Sequence, residues 1–143
     1  MSYQALSDYA NAAKYYQAAI ERERSEPKVK HGEPFGYYGS MLIDMGKPQE
    51  AVRVLQEGVE MSPRSLIVNF ELGRAFRDLN DYDQAEHFLL IAAKVAPNYA
   101  ETYYLLERIY HREGRAKDAD QEQRIFQSLN ANPANLEFPI TDR

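Results

Sequence analysis

Cysteine and tryptophan are both absent from this chain of 143 residues. Without cysteine there are no disulfides, no thiol nucleophiles and no cysteine-ligated zinc. The absence selects no compartment, since such a chain tolerates reducing and oxidising surroundings alike, and the cytoplasm is only marginally favoured. No apolar run approaches the ~18 residues that a membrane-spanning helix needs. The opening residues Met1-Ser2-Tyr3-Gln4-Ala5-Leu6 contain neither a basic stretch nor an apolar centre, so no signal peptide is expected. Basic residues are in the minority, 17 Lys+Arg against 22 Asp+Glu, for a net charge of −5. Nucleic acid is therefore not expected as a partner, because binding phosphate backbones requires a basic footprint. Phosphate-binding glycine loops and nucleophile-elbow patterns are missing too. The histidines, His31, His87 and His111, do not stand at metal-ligand spacing. Asp78, Asp81 and Asp83 lack the glycine and the distant glutamate of a calcium loop. Neither an enzyme nor a cofactor or metal site is expected.

What the chain does have is a repeat of 34 residues. Gly46, Asn80 and Gly114 recur at that interval, as do Ala51, Ala85 and Ala119, and Leu42, Phe76 and Tyr110. The first halves of the units read Phe35-x-x-Tyr38-Gly39-x-x-Leu42, Asn69-x-x-Leu72-Gly73-x-x-Phe76 and Tyr103-x-x-Leu106-Glu107-x-x-Tyr110. Apolar residues three or four apart share one helical face. Gly46, Asn80 and Gly114 then stop each helix, being the residue types that most easily take the left-handed C-cap conformation. Pro48 suits the first turn of the next helix, and Asp81 with Gln84 resembles a capping box. Gly58 and Ala92 are small residues that let two helix backbones approach, while Phe126 stands at the same place in the third unit. Pro63 and Pro97 close their units, since proline cannot continue a helix interior.

This pattern resembles the tetratricopeptide repeat family, in which a bulky residue, an aliphatic, a small residue, an aromatic, two alanines and a proline recur in helix-turn-helix units. The second unit fits best, through Leu72, Gly73, Phe76, Ala85, Leu89, Ala92 and Pro97, with Asn69 in the bulky place. The first has Tyr38 for the aliphatic and Leu42 for the aromatic. The third departs further, with Glu107 in the glycine place, Gln123 in a large apolar place, and Pro133 two residues late. The resemblance implies an all-α fold, a right-handed superhelical array of antiparallel helix pairs with about seven helices.

Upstream, Asp8-Tyr9-x-x-Ala12-x-x-Tyr15-Tyr16-x-x-Ala19-Ile20 reads as the second half of another unit whose first half is absent. Ser25 to Gly32 forms a polar connector with turn formers. The expected division is an orphan helix and connector over 1–32, repeats over 33–64, 65–98 and 99–133, and an extended tail over 134–143, carrying Leu136, Phe138 and Ile140. Tyr3, Leu6, Ala10, Ala13 and Ile20 form one apolar face of the orphan helix, and Tyr9, Ala12 and Tyr16 another. One neighbour cannot cover both.

In such an array the first helix of each pair lines the concave side, so residues 34 apart form columns. The columns Gly36/Phe70/Tyr104, Tyr37/Glu71/Leu105, Ser40/Arg74/Arg108, Ile43/Arg77/His111 and Asp44/Asp78/Arg112 do not repeat in kind. That is expected where a ligand sets them. Arg74 and Arg108 place like charges side by side and call for an anion, unless Glu71 neutralises Arg74, Tyr104 stacks on Arg108 and Asp78 reaches Arg112. The expected peptide-binding residues are Tyr37, Ser40, Phe70, Arg74, Arg77, Tyr104, Arg108, His111 and Arg112. The expected partner is a protein or peptide with acidic and apolar side chains. The Lys, Asn and Arg set by which tetratricopeptide co-chaperones hold a chaperone's terminal carboxylate is missing, its places being taken by Gly36, Ser40, Glu71, Glu101 and Leu105. Two alternatives stand beside this reading: an assembly scaffold that forms homo-oligomers through residues 2–24, and a non-catalytic portion of a larger protein.

Overall fold

The computed structural model describes residues 3–26 and 31–131. The connector residues 27–30 and the apolar tail residues Leu136, Phe138 and Ile140 lie outside the described residues. Among the described residues seven helices follow one another: α1 (Tyr3–Ser25), α2 (Glu33–Asp44), α3 (Pro48–Met61), α4 (Leu66–Asp78), α5 (Tyr82–Val95), α6 (Ala100–Arg112) and α7 (Ala116–Ala131). No strand occurs among the described residues. None of the described helices is long and apolar enough to cross a membrane.

The same turn is built three times. Gly46, Asn80 and Gly114 all have positive φ, at 77°, 60° and 73°. A left-handed residue lets the chain turn back on the helix end, so that the next N–H reaches a carbonyl one turn earlier. Lys47 N donates to Leu42 O at 2.8 Å, Asp81 N to Phe76 O at 2.9 Å, and Arg115 N to Tyr110 O at 2.8 Å. The helices that follow begin in different ways. Pro48 opens α3, where a missing N–H costs nothing. Asp81 caps α5, its Oδ1 accepting from Gln84 N at 3.3 Å.

The paired helices α2 and α3, α4 and α5, and α6 and α7 pack against each other, and each first helix packs beside the next. Phe35, Leu55, Leu72, Leu89 and Leu106 are fully buried in one continuous core. Each contributes roughly 1.5–3 kcal/mol of burial. The small places are where backbones meet side chains. A Cβ added at Gly39 would lie 2.4 Å from the Leu55 side chain, and one at Gly73 2.5 Å from that of Leu89. Repeat boundaries share a device as well. Asn69 Nδ2 donates to Pro63 O at 3.0 Å and the Tyr103 hydroxyl donates to Pro97 O at 2.6 Å. These two residues, 34 apart, tie the start of a first helix to the proline that closes the preceding unit.

Helix α1 packs along α2. Among its described side chains Ile20 is the buried one, while Leu6 and Tyr15 stay exposed. Its C-terminal end is also tied to α3, Arg24 Nε and Nη2 donating to the two carboxylate oxygens of Glu57 at 2.7 and 2.8 Å.

Overpacking the small places should loosen the fold. Gly73→Leu and Ala85→Trp are each expected to lower unfolding free energy by ~1–3 kcal/mol in urea titrations. Midpoints unmoved by both would contradict the packing register.

Candidate functional site

The face shared by α2, α4 and α6 carries the expected columns, and the structure sorts their members by partner. Arg74 is held three ways. Its Nη1 donates to Glu71 Oε2 at 2.7 Å and to Ser40 Oγ at 3.4 Å, and its Nη2 donates to Asp44 Oδ1 at 3.0 Å. The charge that called for an external anion is thus answered by two carboxylates of the chain itself. One, Glu71, is the neighbour one turn earlier. The other, Asp44, comes from the preceding repeat. Glu71 is buried, and that burial raises its carboxyl above the ordinary value against the pull of Arg74.

One repeat later the same arrangement is not rebuilt. Leu105 stands where Glu71 stood, and Asp78 where Asp44 stood. Asp78 does not turn to Arg108 or Arg112. It accepts instead from Arg77, Nε at 3.2 Å and Nη2 at 3.0 Å. Arg108 lies over the Tyr104 ring, 5.6 Å from its centroid, and donates to the Tyr104 hydroxyl at 3.4 Å. Among the described residues no carboxylate pairs with Arg108 or Arg112. His111 meets Glu107 at 3.0 Å on the same helix.

The aromatic members part company as well. Phe70 is buried and packs edge-on against Tyr99 at 5.1 Å. Tyr104 is 41% exposed and leans on Phe126 of α7, ring centroids 5.5 Å apart. Phe70, Arg74, Glu101, Tyr104, Leu105 and Phe126 line an open, mostly apolar cavity of about 350 Å³, in which Glu101 accepts from the Tyr99 hydroxyl. Phe126 is not among the residues read from the columns, because it lies on a second helix. Its signal in the sequence was a large aromatic in the place held by Gly58 and Ala92. Tyr37 and Ser40 lie apart, in a cleft of about 500 Å³ between α1 and α2. There Tyr37 stacks on Tyr16, 6.0 Å away. No group of His, Asp and Glu able to hold a metal ion occurs among the described residues.

A family model described as tetratricopeptide repeat matches residues 42–109, and a second of the same description matches residues 1–26. The chain belongs to the tetratricopeptide repeat family. Among solved structures, a crystal structure of MamA is 21% identical with a TM-score of 0.76, covering 92% of this chain and 76% of that one. YrrB, titled a TPR protein with an unusual peptide-binding site, is 18% identical with a TM-score of 0.71, covering 94% of this chain and 66% of that one. The second TPR of Spaghetti (RPAP3), bound to the HSP90 peptide SRMEEVD, is 15% identical with a TM-score of 0.66, covering 70% and 93%. Identities this low carry the fold alone. No curated protein matches the chain in sequence.

The Arg74 cluster should behave as structure. Arg74→Met is expected to destabilise the fold by roughly 3 kcal/mol, because the buried Glu71 carboxylate loses its partner. Glu71→Gln in the same chain should recover much of that loss. A double-mutant cycle in urea checks the coupling, and additive effects would show the pair to be independent.

Proposed function

We propose that this chain is a protein-interaction module, with repeats 33–64, 65–98 and 99–133 holding a peptide or extended protein segment along the face of α2, α4 and α6. The observation that carries this reading is the open aromatic cavity at Tyr104 and Phe126, set beside arginines that no carboxylate of the described chain answers. Flat apolar area next to guanidinium groups is the usual chemistry of a binding hot spot. Tetratricopeptide repeats are in general a non-catalytic interaction fold, the second TPR of RPAP3 is bound to an HSP90 peptide, and YrrB has an unusual peptide-binding site. That likeness supports the reading by analogy of fold.

The binding face comprises Tyr37, Ser40, Phe70, Arg74, Arg77, Tyr104, Arg108, His111 and Arg112 in unequal roles. Arg74, Ser40 and Phe70 shape and stiffen it. Tyr104, Arg108 and Arg112 meet the ligand, an apolar side chain entering the cavity and an acidic one lying on the arginines. Peptide selection on the full chain, followed by titration of the selected peptide, tests this. Tyr104→Ala with Arg108→Gln should weaken binding by on the order of tenfold or more, as hot-spot truncations do. Arg53→Gln, on the exposed side of α3, should leave it unchanged. Equal binding by the parent and the double variant would rule this face out.

A second reading rests on α1. Leu6 is 47% exposed and Tyr15 72% exposed, on a helix held by α2 and, at its C-terminal end, by the Arg24–Glu57 pair to α3. The reading is that α1 mates with another chain and makes the repeats an assembly scaffold. Light scattering should then show a concentration-dependent oligomer that Leu6→Lys with Tyr15→Lys converts to monomer. A parent chain that stays monomeric at high concentration excludes it.

A further inference from the structure

Repeats two and three supply an internal comparison. Arg74 and Arg108 occupy the same place, 34 residues apart. Around Arg74 the chain installs Glu71, Asp44 and Ser40, all within hydrogen-bonding distance. Around Arg108 the corresponding residues are Leu105, Asp78 and Arg74 itself. One carboxylate has become leucine. The second turns to Arg77, at 3.0 Å, and the hydroxyl has become a cation that is already engaged. Arg112 then follows Arg108 by four residues on the same face of α6. Like charges at that spacing disfavour a helix by a few tenths of a kcal/mol.

Arg77, Arg108 and Arg112 converge on one cleft of about 400 Å³ between α4 and α6, floored by the buried Ile109 and walled by Tyr82. Among the described residues Asp78 is the one carboxylate that lines it. Three guanidinium groups against one engaged carboxylate leave an excess of two positive charges, in a chain whose net charge is −5. The ordinary account of an arginine in the last turn of a helix is favourable alignment with the helix dipole, and it applies to Arg77 and Arg112. It does not account for Arg108, one turn further in, nor for the convergence of arginines from two helices on one space.

We infer that this cleft binds a phosphorylated side chain carried by the partner segment, so that the module reads a phosphopeptide. The inference rests on the interaction reading above and adds the chemistry of the ligand. A phosphomonoester carries about −1.5 to −2 charge near neutral pH and three strong acceptor oxygens. That charge matches the excess in the cleft, and arginine forks pair two donors with two phosphate oxygens. A single carboxylate answers only one of the two uncompensated guanidiniums. The cleft also borders the apolar cavity. Arg108 lines the cleft, Tyr104 lines the cavity, and the two side chains touch through the 3.4 Å hydrogen bond. An apolar residue close to the phosphorylated one in sequence therefore reaches the Tyr104–Phe126 cavity.

The test uses the full chain, arginine Nε–H signals in NMR, and two capped amino acids, N-acetyl-phosphoserine amide and N-acetyl-glutamate amide. The phosphoserine probe should move the Arg77, Arg108 and Arg112 signals together, with affinity on the order of tenfold above the glutamate probe. Arg108→Gln with Arg112→Gln should abolish the response, while Arg53→Gln, which removes the same charge elsewhere, should not. Equal affinity for the two probes, or equal shifts at Arg53 and Arg124, would overturn the phosphate site. These probes carry no flanking side chains, so they report on the cleft independently of the groove. A short peptide with leucine beside phosphoserine then tests the peptide as the source of the phosphate. It should bind severalfold more tightly than the capped residue and lose that gain in Tyr104→Ala. No gain over the capped residue would overturn the phosphopeptide while leaving the anion site in place, and the groove reading is decided separately by the titration of the selected peptide.

Discussion

The contact between a glycine on one helix and a leucine on its partner sets the spacing from which the rest of the molecule follows. Gly39 faces Leu55 and Gly73 faces Leu89, each leucine standing 16 residues after its glycine. Neither glycine has room for a methyl group, so the backbone of the first helix rests directly on the leucine. Close-packed interiors tolerate little change of volume at such points. With that distance fixed, a turn pinned by Gly46 or Asn80 brings the second helix back in one register only. The phase of the first helix is then fixed too, and residues 34 apart are forced into columns across neighbouring repeats.

The third repeat drops both halves of this contact. Glu107 replaces the glycine and Gln123 the leucine, again 16 residues apart. The exchange is consistent, since a leucine needs the space that only the glycine leaves. The pair α6 and α7 is held by other means. Tyr103, fully buried, joins Ala93 and Leu129 in a small separate cluster, with Ile125 and Phe126 against it. Glu107 turns along its own helix to His111. Release from the glycine–leucine contact goes with Phe126 standing in a small-residue place, and Phe126 makes one wall of the aromatic cavity. The repeat that departs most from the pattern is therefore the one that builds the open surface.

Helices and turns were legible in the sequence because their causes are local. A residue able to take positive φ, an alanine at a close approach and a proline at a unit boundary each act within a few positions, and three copies in phase remove ambiguity. Capping of α5 by Asp81 was readable for the same reason. The charge pairing was less so. Glu71 with Arg74 lies within one turn and could be anticipated. The bond from Arg74 to Asp44 spans 30 residues and depends on the lateral offset of α2 and α4. Asp78 had two arginines within reach of its column and took the adjacent Arg77 rather than Arg112, a choice of rotamer that no spacing encodes. Phe70 matched the exposed Tyr104 by column yet lies buried, since Tyr99 at the next repeat boundary closes over it.

Charge on the face of α2, α4 and α6 is best understood as a remainder. Each arginine on this face meets what its own repeat and the preceding repeat can offer, and only what is left unanswered is available to a partner. A carboxylate one turn earlier and another from the preceding repeat turn Arg74 into part of the scaffold, where its removal would leave the buried Glu71 carboxylate without its cation. A leucine in place of that carboxylate leaves Arg108 facing outward, propped on the Tyr104 ring. The two arginines share a column and a residue type, so residue identity alone assigns them the same role. Their neighbours, three residues earlier and one repeat back, make one structural and leave the other open.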